Sequence, residues 1–157
     1  MADLPVRIER LPSMTVAAVR SFGSTPELEA WGHLRRWAES KGFLTDLDCH
    51  PVYGFNNPNP TPDESQYGYE MWMRVDPDTE PDDGITVKRI HGGRYVVVRC
   101  KLNDDPRGSV SDVWMSLYEW VRESGSHQWK RTHELERHLG PPDDADLELE
   151  LYLPVED

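Results

Sequence analysis

Cysteine is scarce in this chain: its 157 residues hold two, Cys49 and Cys100. Two thiols build neither a disulfide framework nor a four-ligand zinc site, and in an ordinary domain they stay reduced, which predicts a cytoplasmic protein. Long apolar runs are missing too. No stretch approaches the roughly 18 apolar residues of a membrane span, and the residues up to Leu11 carry Asp3, Arg7, Glu9 and Arg10 where a signal peptide has an apolar region. Neither span nor signal is expected. Positive charge is in deficit, with 17 Lys and Arg against 29 Asp and Glu and a net charge of -12. An acidic field repels phosphate backbones and anionic lipid and gathers cations. Direct nucleic-acid binding and membrane docking are disfavoured. Phosphate-cradling glycine loops and a Gly-x-Ser-x-Gly elbow are absent as well.

What is present suits a globular domain, since 37% of residues are hydrophobic and 10% aromatic, enough to bury a core. An internal repeat is visible between positions roughly 80 residues apart. Arg10-Leu11-Pro12-Ser13-Met14-Thr15-Val16-Ala17-Ala18-Val19-Arg20 answers to Arg89 through Arg99, both ending in Val-Arg. Trp31-x-x-Leu34-x-x-Trp37 before Gly42 matches Trp114-x-x-Leu117-x-x-Trp120 before Gly125. Glu70-Met71-Trp72-Met73-Arg74-Val75 matches Glu150-Leu151-Tyr152-Leu153-Pro154-Val155. Each half reads as strand, helix and two strands. In the first helix Thr25 is the expected N-cap and Pro26 the first helical residue, with Leu28, Trp31, Leu34 and Ala38 as its apolar stripe and Gly42 as its stop. In the second, Val110, Val113, Trp114, Leu117 and Val121 recur at helical spacing before Gly125. The predicted class is α+β: duplicated βαββ modules related by a pseudo-twofold axis, with helices covering antiparallel sheet. One domain over 1–157 is expected, with module one at about 4–76, a linker of five acids at about 77–84 including its Asp76 edge, and module two at about 85–157.

Leu149, Leu151, Leu153 and Val155 alternate with Glu150, Tyr152 and Pro154, so the last strand has two chemically different faces. Glu150 and Glu70 each stand two residues from an aromatic, Tyr152 and Trp72, on the same face. A carboxylate partly desolvated among rings favours a delocalised organic cation, which is cheap to dehydrate and gains from the ring quadrupoles. The bland alternative leaves both glutamates on a solvent face. The four helical tryptophans read mainly as packing surface; Trp120, near a stripe edge, is the one chosen as a cleft wall. Tyr53 and Phe55 lead into the Pro-rich loop over Asn56 to Ser65, either a lid or a surface connection.

Other motifs carry little. His133 and His138 are five apart and lack the i, i+4 pairing of a zinc helix. Cys49-His50 has no visible second ligand, Gly92-Gly93 reads as a turn or bulge, and the linker acids do not follow calcium-loop spacing. No metal and no cofactor are predicted.

The strand Val6 to Arg20, the segment Ile90-His91-Gly92-Gly93-Arg94-Tyr95-Val96-Val97, the helix Trp114 to Trp120 with Glu123-Ser124-Gly125, and the closing Glu150-Leu151-Tyr152-Leu153-Pro154-Val155 together resemble the GyrI-like small-molecule-binding domain, also the effector-binding half of some AraC- and MerR-type regulators. The sequence departs from it at Cys100-Lys101-Leu102-Asn103-Asp104-Asp105-Pro106, where the family tends to a His-x-Gly-Pro-like turn. The resemblance implies a cleft for flat, hydrophobic, often cationic compounds with Glu150 as the ligand-facing acid; with no helix-turn-helix segment in the sequence, a stand-alone member that is not itself a DNA-binding regulator is expected. The expected ligand set is Glu150, Tyr152, Trp72, Trp120, Glu70, Tyr53 and Phe55, serving drug or toxin sensing or sequestration by a monomer or dimer. Binding is expected rather than catalysis. Two alternatives implied by the resemblance are a hydrolase of electrophilic toxins using Glu150, and a protein regulator acting on DNA gyrase through the acidic surface.

Overall fold

The computed structural model describes residues 4–63 and 65–157. Asp3 and Glu64 lie outside the described residues. The order is β1 (Val6–Leu11), β2 (Met14–Gly23), α1 (Pro26–Ser40), β3 (Val52–Asn56), β4 (Tyr67–Val75), β5 (Thr86–Ile90), β6 (Gly93–Lys101), α2 (Val110–Ser124), β7 (Leu135–His138) and β8 (Glu148–Val155), with a 3-10 turn at Phe43–Thr45. The class is α+β and the strands are antiparallel. The opening strand expected over Val6 to Arg20 is two strands, parted at Pro12-Ser13, where proline has no N–H for a ladder.

Two compact units divide the chain: Met14–Ile90, and Met1–Ser13 with His91–Asp157. They are not the contiguous halves suggested by the repeat. In Met14–Ile90 the strands run β5-β2-β4-β3; in the other unit they run β1-β6-β8-β7. Thus β1 precedes β2 in sequence but pairs with β6, while β5 precedes β6 but pairs with β2.

In Met14–Ile90, alternation along β2 and β4 sends Ala17, Val19, Tyr69, Met71, Met73 and Val75 to one face, where Ala30, Trp31, Leu34, Trp37 and Ala38 of α1 cover them. Pro26 opens α1 with its preset φ, and Glu27 and Glu29 sit favourably at the positive end of the helix dipole. Thr25 does occupy the cap but makes no side-chain cap bond, because its own φ and ψ are not those of an extended cap residue. Leu28 is exposed rather than part of the stripe, since it projects from the far side of a helix whose sheet-facing arc is already filled by Trp31 and Leu34.

In the other unit, Val96, Val98, Cys100, Leu149, Leu151, Leu153 and Val155 face α2 and bury Val113, Leu117 and Val121. Each such aliphatic side chain, shut from water, contributes roughly 1.5 to 3 kcal/mol. Helix α2 is framed by a capping box, the Ser109 hydroxyl accepting from Asp112 N–H while the Asp112 carboxylate accepts from Ser109 N–H, and by left-handed Gly125 at its end. No helix among the described residues is long and apolar enough to cross a membrane.

Candidate functional site

With Leu149, Leu151 and Leu153 packed on α2, the period of two turns Glu150 and Tyr152 to the opposite face of their sheet. The same parity turns Glu70 and Trp72 away from α1. Neither face is a solvent face for these acids. Glu70 and Glu150 are each only 7% exposed, and Trp72 and Tyr152 are fully buried, so the bland reading of the two glutamates fails. Because no chain buries a carboxylate cheaply, each must be answered by donors.

In Met14–Ile90, Glu70 accepts from three directions: the Trp72 indole N–H at 2.6 Å, Lys88 Nζ at 2.8 Å and Asn57 Nδ2 at 3.2 Å. The register sets Phe55 opposite Glu70 and Tyr53 opposite Trp72. Phe55 meets the Trp72 ring edge-on at 4.9 Å between centroids, and Lys88 Nζ stands 5.4 Å from the Trp72 centroid, within cation–π range. Four of the expected residues, Glu70, Trp72, Tyr53 and Phe55, therefore do form one cluster. Burial pushes the Glu70 carboxyl up, but Lys88, Trp72 and Asn57 together outweigh it and hold the group below its ordinary value.

In the other unit, Glu150 forms a tight ion pair with Arg7 of β1 and a longer one, 3.9 Å, with Arg137 of β7. Arg7 also donates to Glu9 at 2.7 Å and 2.9 Å. Tyr152 lies edge-on to Tyr95 at 5.6 Å, and its hydroxyl is 3.4 Å from Glu9. Burial again raises the carboxyl, and here the arginines, Arg7 first, outweigh it, so Glu150 sits below its ordinary value.

Trp120 does not join Tyr152 and Glu150. It lies on α2, partly buried against the helix-side core and stacked on His127 at 6.0 Å between centroids, while the two β8 residues occupy the opposite face. The alternation in β8 already contained this answer. Beside α2 runs a groove of about 640 Å³ lined by Met115, Tyr118, Arg122, His127 and Trp129, likewise remote in orientation from Glu150. Six participants went unforeseen: Arg7, Glu9, Lys88, Asn57, Tyr95 and Arg137. Arg7 and Lys88 reach their acids across an intervening strand, a relation fixed by pairing partner and invisible to local spacing. No group of three or more metal-ligating side chains occurs among the described residues. Burial lifts the Cys100 thiol to about 11, so it stays protonated, and Cys49 donates from its thiol to Asp46 at 3.0 Å.

The titrating groups give a signed prediction. Burial holds the His138 pKa down to about 4 against 6.5; the unfolded chain takes that proton first, so stability falls as pH drops from 6.5 towards 4. The two carboxylates act later. Their stabilisation is present above the ordinary value of 4.5 and is lost as pH falls through their lower folded values. Thermal midpoints from pH 7 to 3 should decline in two stages, with the later stage reduced in a Glu70→Gln/Glu150→Gln double variant. A midpoint flat across this range would contradict both assignments.

Comparison with known proteins agrees with this architecture. Residues 4–156 match the family model of the GyrI-like small molecule binding domain. The crystal structure of the EcmrR C-terminal domain superposes with a TM-score of 0.67 at 15% identity, covering 98% of both chains. EcmrR in its DNA complex gives 0.68 at 16%, covering 97% of this chain and 57% of that longer one. A hydrolase from Listeria innocua gives 0.66 at 16%, covering 96% and 91%. Such distant likenesses speak for the fold alone. No curated protein matches the chain in sequence. With the family model spanning nearly every residue, the chain belongs to the GyrI-like small molecule binding domain family.

Proposed function

We propose that this domain binds lipophilic organic cations or flat polyaromatic compounds, in sensing or sequestration, and that its buried glutamates are the charge partners. The observation that carries the reading is the Glu70 cluster: a carboxylate at 7% exposure, bonded to an indole N–H at 2.6 Å, with an ammonium lying 5.4 Å from the same ring. Carboxylate and aromatic face together are what a delocalised cation needs, and each ring contact is worth about 0.5 to 2 kcal/mol. Glu150 with Tyr152 and Tyr95 supplies the same chemistry in the other unit, with a tyrosine in place of the indole.

Binding is favoured over hydrolysis because both carboxyls lie below their ordinary values. A general acid for neutral pH needs the opposite shift. A basic protein partner has only the net charge of -12 in its favour.

Calorimetric titration with N-methylacridinium, and with neutral acridine at pH 8, tests the reading. Glu70→Gln or Glu150→Gln should weaken the cation by about tenfold or more, as expected for losing a charged partner, while acridine changes little. Cation affinity that survives both substitutions would remove the glutamates from the site.

A further inference from the structure

Both buried glutamates already hold a cation, and in both cases it is the protein's own. Arg7 belongs to β1, which is separated from β8 by β6; Lys88 belongs to β5, which is separated from β4 by β2. Each basic side chain must therefore cross one strand, roughly 9 to 10 Å of sheet between its own strand and the acid's. Only long side chains manage that, and the residues they cross are small: Val97 faces Arg7 on β6, and Val16 faces Lys88 on β2, next along that face to Ala18. Lys88 ends in the geometry of a bound organic cation, 2.8 Å from the Glu70 carboxylate and 5.4 Å from the Trp72 ring.

The two partners of each pair differ sharply in burial. The Arg7 and Lys88 side chains are 46% and 42% exposed, whereas those of Glu150 and Glu70 are 9% and 10% exposed. A basic side chain can swing into water without opening the core; its carboxylate cannot follow. Arg7 even has a second acceptor waiting on its own strand, Glu9, to which it donates through Nε at 2.9 Å.

We propose that Arg7 and Lys88 are tethered counter-cations that occupy the ligand positions at Glu150 and Glu70 and are displaced by an incoming lipophilic cation. The inference rests on the carboxylates being the charge partners for ligand. It assigns Arg7 and Lys88 as specificity-determining residues. A tethered cation competes at high effective concentration, so a ligand must add apolar and aromatic contact beyond its charge. Small hydrated cations have none to add, and the domain excludes them. Apparent affinity is the intrinsic affinity reduced by the fraction of molecules whose tether has swung away.

Calorimetry on the whole chain tests this with N-methylacridinium and neutral acridine at pH 8. In Lys88→Gln the competitor at Glu70 is gone and in Arg7→Gln only the longer Arg137 pair, 3.9 Å, remains at Glu150; at least one variant should bind the cation about tenfold more tightly, and acridine, which gains no freed charge partner, should tighten less. Arg7→Lys and Lys88→Arg keep the charge and should bind as the parent does. Should a neutral variant fail to fold, the parent chain supplies the answer: saturation with N-methylacridinium should move the Arg7 Nη–H resonances, which report the bond to Glu150, or the Lys88 ammonium resonance, which reports the bond to Glu70, towards the free-solvent position. Cation affinity that falls in Glu70→Gln or Glu150→Gln yet stays level in both tether variants overturns this proposal and leaves the binding reading standing. Equal tightening in the charge-keeping variants overturns it too, since charge would then not be the competitor. An absence of cation binding in every form overturns the proposal together with the reading beneath it.

Discussion

Trp72→Ala should lower the free energy of unfolding by about 3 to 5 kcal/mol, measured by urea denaturation followed by circular dichroism. The indole is 2% exposed. Its removal empties the space against which Phe55 packs at 4.9 Å and takes away the ring beneath Lys88. The surrounding strand backbones are held by pairing on both sides and cannot collapse into the gap. A second loss is polar. Glu70 forfeits the N–H at 2.6 Å and keeps Lys88 and Asn57. Trp72→Phe separates the two effects, for it retains most of the ring and deletes only the donor; a cost of about 1 to 3 kcal/mol is expected from the under-satisfied carboxylate. If Phe and Ala cost the same, the hydrogen bond rather than packing governs the position.

Gly68→Ala is the second large effect, and its cause is backbone against backbone. A β-carbon at this position would stand 1.8 Å from the Asn57 carbonyl oxygen and 2.5 Å from its carbon. Neither atom belongs to a flexible side chain that can step aside. Here β3 and β4 are closed by Asn57 N–H donating to Gly68 O at 2.8 Å and Gly68 N–H donating to Pro58 O at 3.0 Å. Relief of the overlap requires the strand ends to part, at a cost of about 3 kcal/mol, the upper part of the overpacking range. Parting them also draws Asn57 Nδ2 away from Glu70, from which it stands 3.2 Å. The substitution should therefore raise the Glu70 pKa as well as lower the urea midpoint, and carboxyl NMR titration reads the first effect independently. A midpoint within experimental error of the parent would show that the hairpin end yields freely.

Which parts of this were legible in the sequence follows from what each kind of pattern encodes. Alternation over Leu149–Val155 is a statement about faces: it set Glu150 and Tyr152 on one face and the aliphatics on a core face, and the structure packs that core face on α2. The i, i+2 relation of Glu70 to Trp72 is likewise local, and their hydrogen bond is its direct outcome. Helical spacing found α2, and Pro26 marked the start of α1. Tertiary pairing is another matter. Nothing in a period of two says that Val6–Leu11 pairs with β6 rather than with its neighbour β2, so Arg7 could not be matched to Glu150, nor Lys88 to Glu70. Trp120 and Leu28 failed at the edges of helical stripes, where a shift of one position separates core from rim. For Trp120 the error was avoidable: the β8 leucines that face α2 exclude Glu150 from the same side.

The pairing of β1 with β6 has a consequence for the growing chain on the ribosome. Met14–Ile90 is contiguous, so its four strands and helix are all made before β6 begins at Gly93. Segment Val6–Leu11 is translated earlier than any of them, yet its partner strand arrives roughly 4 to 16 s later at usual elongation rates. Through that interval it is an unpaired strand carrying apolar Val6 and Ile8, the kind that recruits neighbouring nascent chains. Arg7, Glu9 and Arg10 interrupt it with charge. On this account Arg7 works first as a guard against mispairing during synthesis, and only afterwards as the partner of Glu150.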